Sequence, residues 1–381
     1  MLRSTRSEVQ PFIAMDVLTE ANRLERQGRS IVHMELGEPG APVPAAVRAA
    51  AEAALKRGRV GYTEALGLPA LRAAIAEHYG RRYGVEVPAS RVAVTAGSSG
   101  AFNLAFLALF DVGDRVGLPT PGYPAYRNIL TALGLEVVEI ATEAATRWQA
   151  TPEMIAKVHA ETPLKGLVVA SPANPSGTMM TREGLRDLVA ACRDMGISLV
   201  MDEIYHGLVY TGSETTALEF ADDIVVVNSF SKYYCMTGWR IGWMVLPEAM
   251  VRPVERIAQN LFISPSELSQ WAALGAFAAT EELEAVKAGY ATSRALLLER
   301  LPAIGLDRFL PVDGAFYLYA DVSRFTNDSL DFSRRMLTEA GIAATPGLDF
   351  DTARGAQYLR FSFAGRTEAV REACDRLAGW L

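Results

Sequence analysis

Short apolar runs punctuate the first two-thirds of the chain, each closed by glycine, proline or a polar residue and followed by a stretch of helical spacing. Val92–Thr95, Asp114–Leu118, Leu135–Ile140, Leu164–Ala170, Ile197–Met201, Ile224–Asn228 and Ile241–Leu246 read as strands. Most are hydrophobic nearly throughout, as burial on both faces requires. Ala101–Phe110, Arg127–Leu133, Thr181–Met195 and Glu248–Leu261 read as the intervening helices. That alternation predicts an α/β unit on a mostly parallel sheet. Upstream, Pro11–Gln27 places Phe12, Met15, Leu18 and Leu24 on one helical side, and Ile31–Leu36 alternates like a strand. An alanine-rich helix follows over Pro44–Arg57, and Pro69 opens another through Arg82. Ser266–Thr280 and Glu281–Leu301 read as long helices. The last part mixes strands (Phe316–Ala320, Gln357–Ala364), a turn (Ala343–Gly347) and helices (Leu330–Ala340, Arg366–Leu381), which predicts a smaller α+β unit.

Composition narrows the function classes. Half of the 381 residues are hydrophobic and 21% are charged, the balance of a soluble globular protein with a large core. The net charge of −7, with no lysine or arginine run beyond a pair, lacks the footprint of a nucleic-acid binder. The longest apolar stretch, Ala101–Phe110, contains Asn103 and is too short to cross a membrane. The polar start Met1–Glu8 has no signal-peptide core. Cys192, Cys235 and Cys374 show neither redox nor metal spacing, and neither do His33, His78, His159 and His206. A cytoplasmic protein without a metal is therefore expected.

The candidate chemistry lies where strands end. After Thr95 comes Ala96-Gly97-Ser98-Ser99-Gly100, a small-residue turn before a helix, which suits a phosphate but also serves as an ordinary connector. The loop Pro119–Tyr126 holds Tyr123 and Tyr126 on a stiff, proline-rich platform fit for stacking on a flat ring. Asn174 lies between Pro172 and Pro175, and Asp202-Glu203-Ile204-Tyr205 follows a buried strand, where open α/β sheets bind ligands. Ser229-Phe230-Ser231-Lys232 leads to Arg240. A lysine set among aromatics and hydroxyls loses its charge readily and can attack a carbonyl; taken alone, a snorkelling side chain is the more ordinary reading. Together these groups suit one ligand, a phosphorylated heteroaromatic aldehyde, and pyridoxal phosphate needs this set: a lysine, an acid for the pyridine nitrogen and donors for the phenolic oxygen.

Ser171-Pro172-Ala173-Asn174-Pro175-Ser176-Gly177, Asp202-Glu203-Ile204-Tyr205 and Ser229-Phe230-Ser231-Lys232 with Thr237-Gly238-Trp239-Arg240-Ile241-Gly242 resemble the class I/II aminotransferases of the fold type I pyridoxal-phosphate enzymes. The likeness runs from Gly37-Glu38-Pro39 to Arg360. It implies a three-layer α/β/α large domain with a mostly parallel sheet over residues 46–285. A small α+β domain would combine residues 286–381 with the N-terminal segment 1–45. Lys232 is then the internal-aldimine lysine and proton shuttle, Asp202 the partner of the ring nitrogen, and Asn174 and Tyr205 the partners of the phenolic oxygen. Tyr123 stacks on the ring. Ser98, Ser99, Gly100, Ser229, Ser231 and Arg240 belong to the phosphate site, with Tyr62 arriving from a second subunit of a homodimer. Arg360 and the Gly37 backbone, beside Asn174, take the substrate carboxylate.

The implied reaction moves an amino group from an L-amino acid to a 2-oxo acid such as 2-oxoglutarate, with ping-pong kinetics. Ser99 replaces a lysine frequent in relatives acting on aspartate, and Phe12-Ile13-Ala14-Met15 at the substrate mouth is apolar. A neutral or aromatic donor is expected, with aspartate transamination or β-elimination of a sulfur amino acid as the alternatives. Asp351 stands where relatives frequently carry glycine, with no role legible in the sequence.

Overall fold

The computed structural model describes residues 3–381; Met1 and Leu2 of the polar start lie outside them. The chain enters on the helix Ile13–Arg26 and a two-residue strand β1 (Val32–His33). It then builds β2 (Val92–Thr95), β3 (Arg115–Thr120), β4 (Glu136–Ala141), β5 (Gly166–Ala170), β6 (Ser198–Asp202), β7 (Val225–Ser229) and β8 (Gly242–Val245). These form one sheet in the order β2-β8-β7-β6-β5-β3-β4. Only β8 runs against its neighbours β2 and β7; the other pairings are parallel.

Residues alternate between the two faces of this sheet, as the two-residue period demands. Val168, Val200, Val225, Val227 and Met244 pack with Phe102 and Phe106 of the helix Gly97–Leu109 and with Val254 and Ala258 of Glu248–Leu261. Leu167, Val169, Leu199, Met201, Val226 and Trp243 pack on the opposite side with Leu71, Ile75, Leu185 and Leu188. That is the expected α/β/α sandwich. Burying an aliphatic side chain of this size stabilises by about 1.5–3 kcal/mol, so the two apolar faces dominate the stability of the unit.

The smaller unit draws on both ends of the chain. Strands β9 (Tyr317–Asp321), β11 (Thr345–Pro346) and β12 (Tyr358–Ser362) form an antiparallel sheet in the order β11-β12-β9. Strand β10 (Ile342–Ala343) pairs in parallel with β1. The Ser362 N–H donates to the Met34 carbonyl (2.7 Å), which ties the N-terminal segment to β12. The long helix Thr280–Ala303 is continuous through residues 285 and 286, so the expected domain boundary falls within a single element.

Several elements differ from the sequence reading. The helix expected from Ala101 starts at Gly97, and the one expected from Arg127 starts at Pro124. Gly97 adopts φ +70° and faces Arg240, where an added Cβ would lie 2.6 Å from Nη2. The glycine marks the strand-to-helix turn itself rather than a loop. The strand expected over Ile31–Leu36 shrinks to β1, because the Glu35 carbonyl is taken by Arg360 Nη2 and by Thr345 Oγ1 (2.8 Å). The turn at Ala343–Gly347 contains β11 and the end of β10. An unforeseen helix, Pro152–Glu161, precedes β5; Thr151 caps it, with Pro152 in the first turn. Among the described residues no helix is long and apolar enough to cross a membrane.

Candidate active site

Parallel order brings the C-terminal ends of β2, β3, β5, β6 and β7 to one edge of the large sheet. The antiparallel β8 contributes its N-terminal end there. The Ser98 turn, Tyr123, Asn174, Asp202, Tyr205, Ser231, Lys232 and Arg240 thus line a single cleft of about 1090 Å³, its open mouth included. Gly37, Tyr317 and Arg360 close it from the smaller unit, and Phe12, Ala14, Met15 and Leu18 from the first helix.

Lys232 Nζ donates to the Gly37 carbonyl (2.6 Å). Burial, followed by the like charges of Arg360 and Arg240, lowers its pKa from the ordinary lysine value to about 8. Gly37 admits no side chain, since an added Cβ would lie 1.6 Å from the Tyr317 hydroxyl. That hydroxyl is 2.8 Å from the hydroxyl of Tyr205. Desolvation raises both tyrosines, Tyr205 well above the ordinary value, so both remain neutral donors.

Asp202 is buried at the end of β6. Its Oδ2 accepts the Tyr126 hydroxyl, and its Oδ1 accepts the Ile204 N–H (3.0 Å). Burial pushes its carboxyl up to about 6, while the Tyr126 and Ile204 hydrogen bonds oppose the rise. A cationic ring N–H delivered to this acid would replace lost hydration and restore its ionised form. Tyr123 meets Tyr126 edge-on at 5.3 Å and Phe12 at 5.8 Å, so its ring is held from two sides.

The opposite end of the cleft is built for an anion. The helix Gly97–Leu109 directs the unpaired N–H groups of its first turn there, beside the hydroxyls of Ser98, Ser99, Ser231 and Thr237 and the guanidinium of Arg240. Arg240 adopts a left-handed conformation (φ +48°), which presents its side chain across Gly97. Two expected phosphate residues stand back from the lining. Ser229 is buried, its hydroxyl within hydrogen-bond distance of Ser231 Oγ (2.9 Å) and the Ile241 carbonyl (3.1 Å). Gly100 is buried in the first helical turn, where a Cβ would touch that of Ala96 at 3.4 Å. Tyr62 is 81% exposed and outside the cleft of its own chain.

Arg360 on β12 is buried between aromatic rings, its Cζ 4.4 Å from the Tyr317 centroid and 4.7 Å from that of Phe350. Nη1 donates to Asn174 Oδ1 (2.9 Å); Nη2 donates to the Glu35 carbonyl and to Thr345 Oγ1 (3.1 Å). Nε is buried without a hydrogen-bond partner. A buried, always-charged guanidinium with a donor to spare beside Asn174 is matched to a carboxylate.

The residues fit pyridoxal phosphate end to end: amine, acid, neutral hydroxyl donors, ring platform and anion cradle. Tyr126, Tyr317, Thr237 and Glu38 join the set without having been singled out as ligands in the sequence. Tyr126 carried one signal, its place in the stiff loop with Tyr123. Tyr317 and Glu38 reach the cleft only through tertiary packing.

Residues 31–377 match the family of class I and II aminotransferases, and the chain belongs to it. Members of this family use pyridoxal phosphate, and the protein is an aminotransferase. It is 50% identical over 380 residues to the valine–pyruvate aminotransferase of Mycobacterium tuberculosis, covering 99% of this chain and 97% of the relative. The crystal structure of an aminotransferase from Mycobacterium tuberculosis superposes with a TM-score of 0.98 at 49% identity, covering 100% and 99% of the two chains. The aspartate aminotransferase of Thermus thermophilus with maleate gives a TM-score of 0.94 at 34% identity, with both chains covered in full.

Proposed function

We propose that this aminotransferase takes its amino group from a small neutral L-amino acid of the valine type and delivers it to a small 2-oxo acid of the pyruvate type. The apolar wall of the cleft carries this reading. Phe12, Ala14, Met15 and Leu18 face the substrate space, and the cations of the lining are Lys232, Arg240 and Arg360, each with a role in amine, phosphate or α-carboxylate binding. Glu38 also lines the cleft and repels a second carboxylate. A dicarboxylate would bury its distal charge against hydrocarbon and beside an acid, at a cost of several kcal/mol unless paired. The same wall receives the acceptor, so pyruvate suits it better than the 2-oxoglutarate expected from the sequence. The valine–pyruvate activity in the name of the 50% identical relative supports the same pairing.

Bound pyridoxal phosphate supplies an aldehyde for amine exchange and a ring that accepts electrons from the substrate Cα. The chain does the rest. Arg360 grips the α-carboxylate with Asn174 beside it, which turns the Cα proton toward Lys232 Nζ. The lowered pKa of Lys232 leaves part of the amine neutral near pH 7, the form that would serve as nucleophile and as acceptor of that proton. Asp202 would hold the ring nitrogen protonated, Tyr205 and Asn174 would take the phenolic oxygen, and Tyr123 would cover the ring. Ser98, Ser99, Ser231 and Arg240 would hold the phosphate, with Ser229 and Gly100 shaping the cradle behind them.

A homodimer completes the reading. The exposed Tyr62 adjoins the exposed Leu261, Phe262 and Ile263, the two turns being joined by the Thr63 N–H on Ser264 Oγ (3.2 Å). That patch suits a second copy, which would receive Tyr62 at its phosphate site. The function is tested by steady-state rates on a donor panel with pyruvate and 2-oxoglutarate as acceptors. Valine and alanine are expected to exceed aspartate and glutamate by about tenfold or more in kcat/KM. Equal or faster turnover of aspartate overturns the assignment.

A further inference from the structure

Asp351 and Arg354 lie outside the cleft lining, in the loop between β11 and β12. Asp351 is buried; its Oδ1 accepts the N–H groups of Ala353 (3.0 Å) and Arg354 (2.9 Å). Its Oδ2 accepts from Arg354 Nε (2.8 Å) and lies 2.7 Å from Nη2. This fork fixes the guanidinium, whose remaining donors leave the loop for the large sheet. Nη1 reaches the carbonyl of Thr142 (2.7 Å), just beyond β4, and Nη2 that of Thr120 (3.0 Å), the last residue of β3. The Trp148 ring lies 5.6 Å from the same guanidinium.

Neighbouring residues of the loop repeat the crossing. Thr352 Oγ1 donates to Glu139 on β4 (3.0 Å), and the Gly122 N–H donates to the Phe350 carbonyl (2.9 Å). Phe350, immediately before Asp351, is the ring that packs on Arg360. The loop is closed tightly on itself, since a Cβ on Gly347 would lie 2.4 Å from the Gly355 carbonyl. A displacement of the loop therefore carries Phe350 with it.

We propose that the Asp351–Arg354 pair is a clasp between the two sheets that positions Phe350, and through it the Arg360 guanidinium, for the α-carboxylate of the substrate. The proposal rests on the reading of Arg360 as the carboxylate-binding residue. The clasp assigns a purpose to Asp351. A glycine there offers no carboxylate to orient Arg354, and a lysine at 354 lacks the planar fork that serves one carboxylate and two carbonyls together. Misplacement of a binding group by about 1 Å is enough to change rates by up to about 10²-fold.

The test compares holoenzyme carrying Asp351→Asn or Arg354→Lys with the parent. Three quantities are measured: KM and kcat for valine with pyruvate, the inhibition constant of isovalerate (valine without its amino group), and the affinity for pyridoxal phosphate. The clasp predicts that KM for both substrates and the isovalerate constant rise about tenfold, that kcat falls as well because the carboxylate grip aims the Cα proton at Lys232, and that cofactor affinity is unchanged. Unchanged isovalerate inhibition with a lowered melting temperature overturns it, and so does a rise that only parallels loss of cofactor. Arg354→Lys keeps the charge and the aliphatic stem, and serves where Asp351→Asn gives no soluble holoenzyme. Arg360→Lys is the reference. Insensitivity of isovalerate to that change defeats the underlying assignment of Arg360, whereas sensitivity there but not at 351 or 354 defeats the clasp alone.

Discussion

Lys232 illustrates how a residue's chemistry follows from its surroundings. Burial and the two arginines bring its pKa to about 8, so at pH 7 about a tenth of the amine is neutral, against fewer than about one in a thousand for an ordinary lysine. The sign is fixed: the attacking form is the deprotonated one, and a lowered pKa enlarges it as pH rises toward 8 rather than toward 10.5. In the apoprotein, uptake of pyridoxal phosphate is expected to quicken about tenfold per pH unit below about 8 and to level off above it. A rate still climbing at pH 10 contradicts the assignment. Lys232→Ala is expected to abolish both the cofactor absorbance that depends on the lysine and turnover; retained steady-state activity overturns the assignment. The gathering of Lys232, Asp202, Asn174 and Arg360 at one cleft was legible in the sequence, because each follows or occupies an apolar strand in a distinctive motif. The hydrogen bond of Tyr126 to Asp202 and the place of Tyr317 were not, because both depend on contacts across 76 and 112 residues of chain.

Elements were legible where hydrophobic period and punctuation agreed. All seven strands of the large sheet lie on runs that read as strands, since a fully buried strand has little choice of composition. The helix Pro152–Glu161 went unread although Thr151-Pro152 is a start signal, because it buries only Ile155 fully and its apolar face is weak. The misplaced start of the helix Gly97–Leu109 has a different cause. Its first turn is made of small residues that propensity assigns to a loop, and the requirement that fixes it is the approach of Arg240 to Gly97. Gly97→Ala is therefore expected to cost about 1–2 kcal/mol through the left-handed backbone alone. It is also expected to weaken cofactor affinity about tenfold by displacing Arg240, as read by titration of the apoprotein. Unaltered affinity in a folded variant removes the arginine from the phosphate site. Strand β11 and the end of β10 fall within the predicted turn, because two residues are too few to show a period.

At the scale of the whole molecule, the sheet order gathers groups from most of the chain to one edge, and the smaller unit lays Arg360 and the first helix over them. The mixed α+β character of the C-terminal part was legible, but the pairing of β1 with β10 across more than 300 residues follows only from tertiary packing. The proposed dimer extends this logic to Tyr62. Sedimentation should give twice the chain mass, and Tyr62→Phe should weaken phosphate-dependent cofactor retention by about 1 kcal/mol or more, the scale of one hydrogen bond to a charged group. A stable, fully active monomer contradicts that arrangement. Above both stands the claim that an apolar wall, backed by Glu38, selects a neutral donor. The most direct measurement mixes holoenzyme with L-valine or L-aspartate, without acceptor, and follows the cofactor absorbance through a single turnover. A wall that selects a neutral donor gives conversion at least several-fold faster with valine than with aspartate at equal concentration; conversion several-fold faster with aspartate means that the wall does not select the donor.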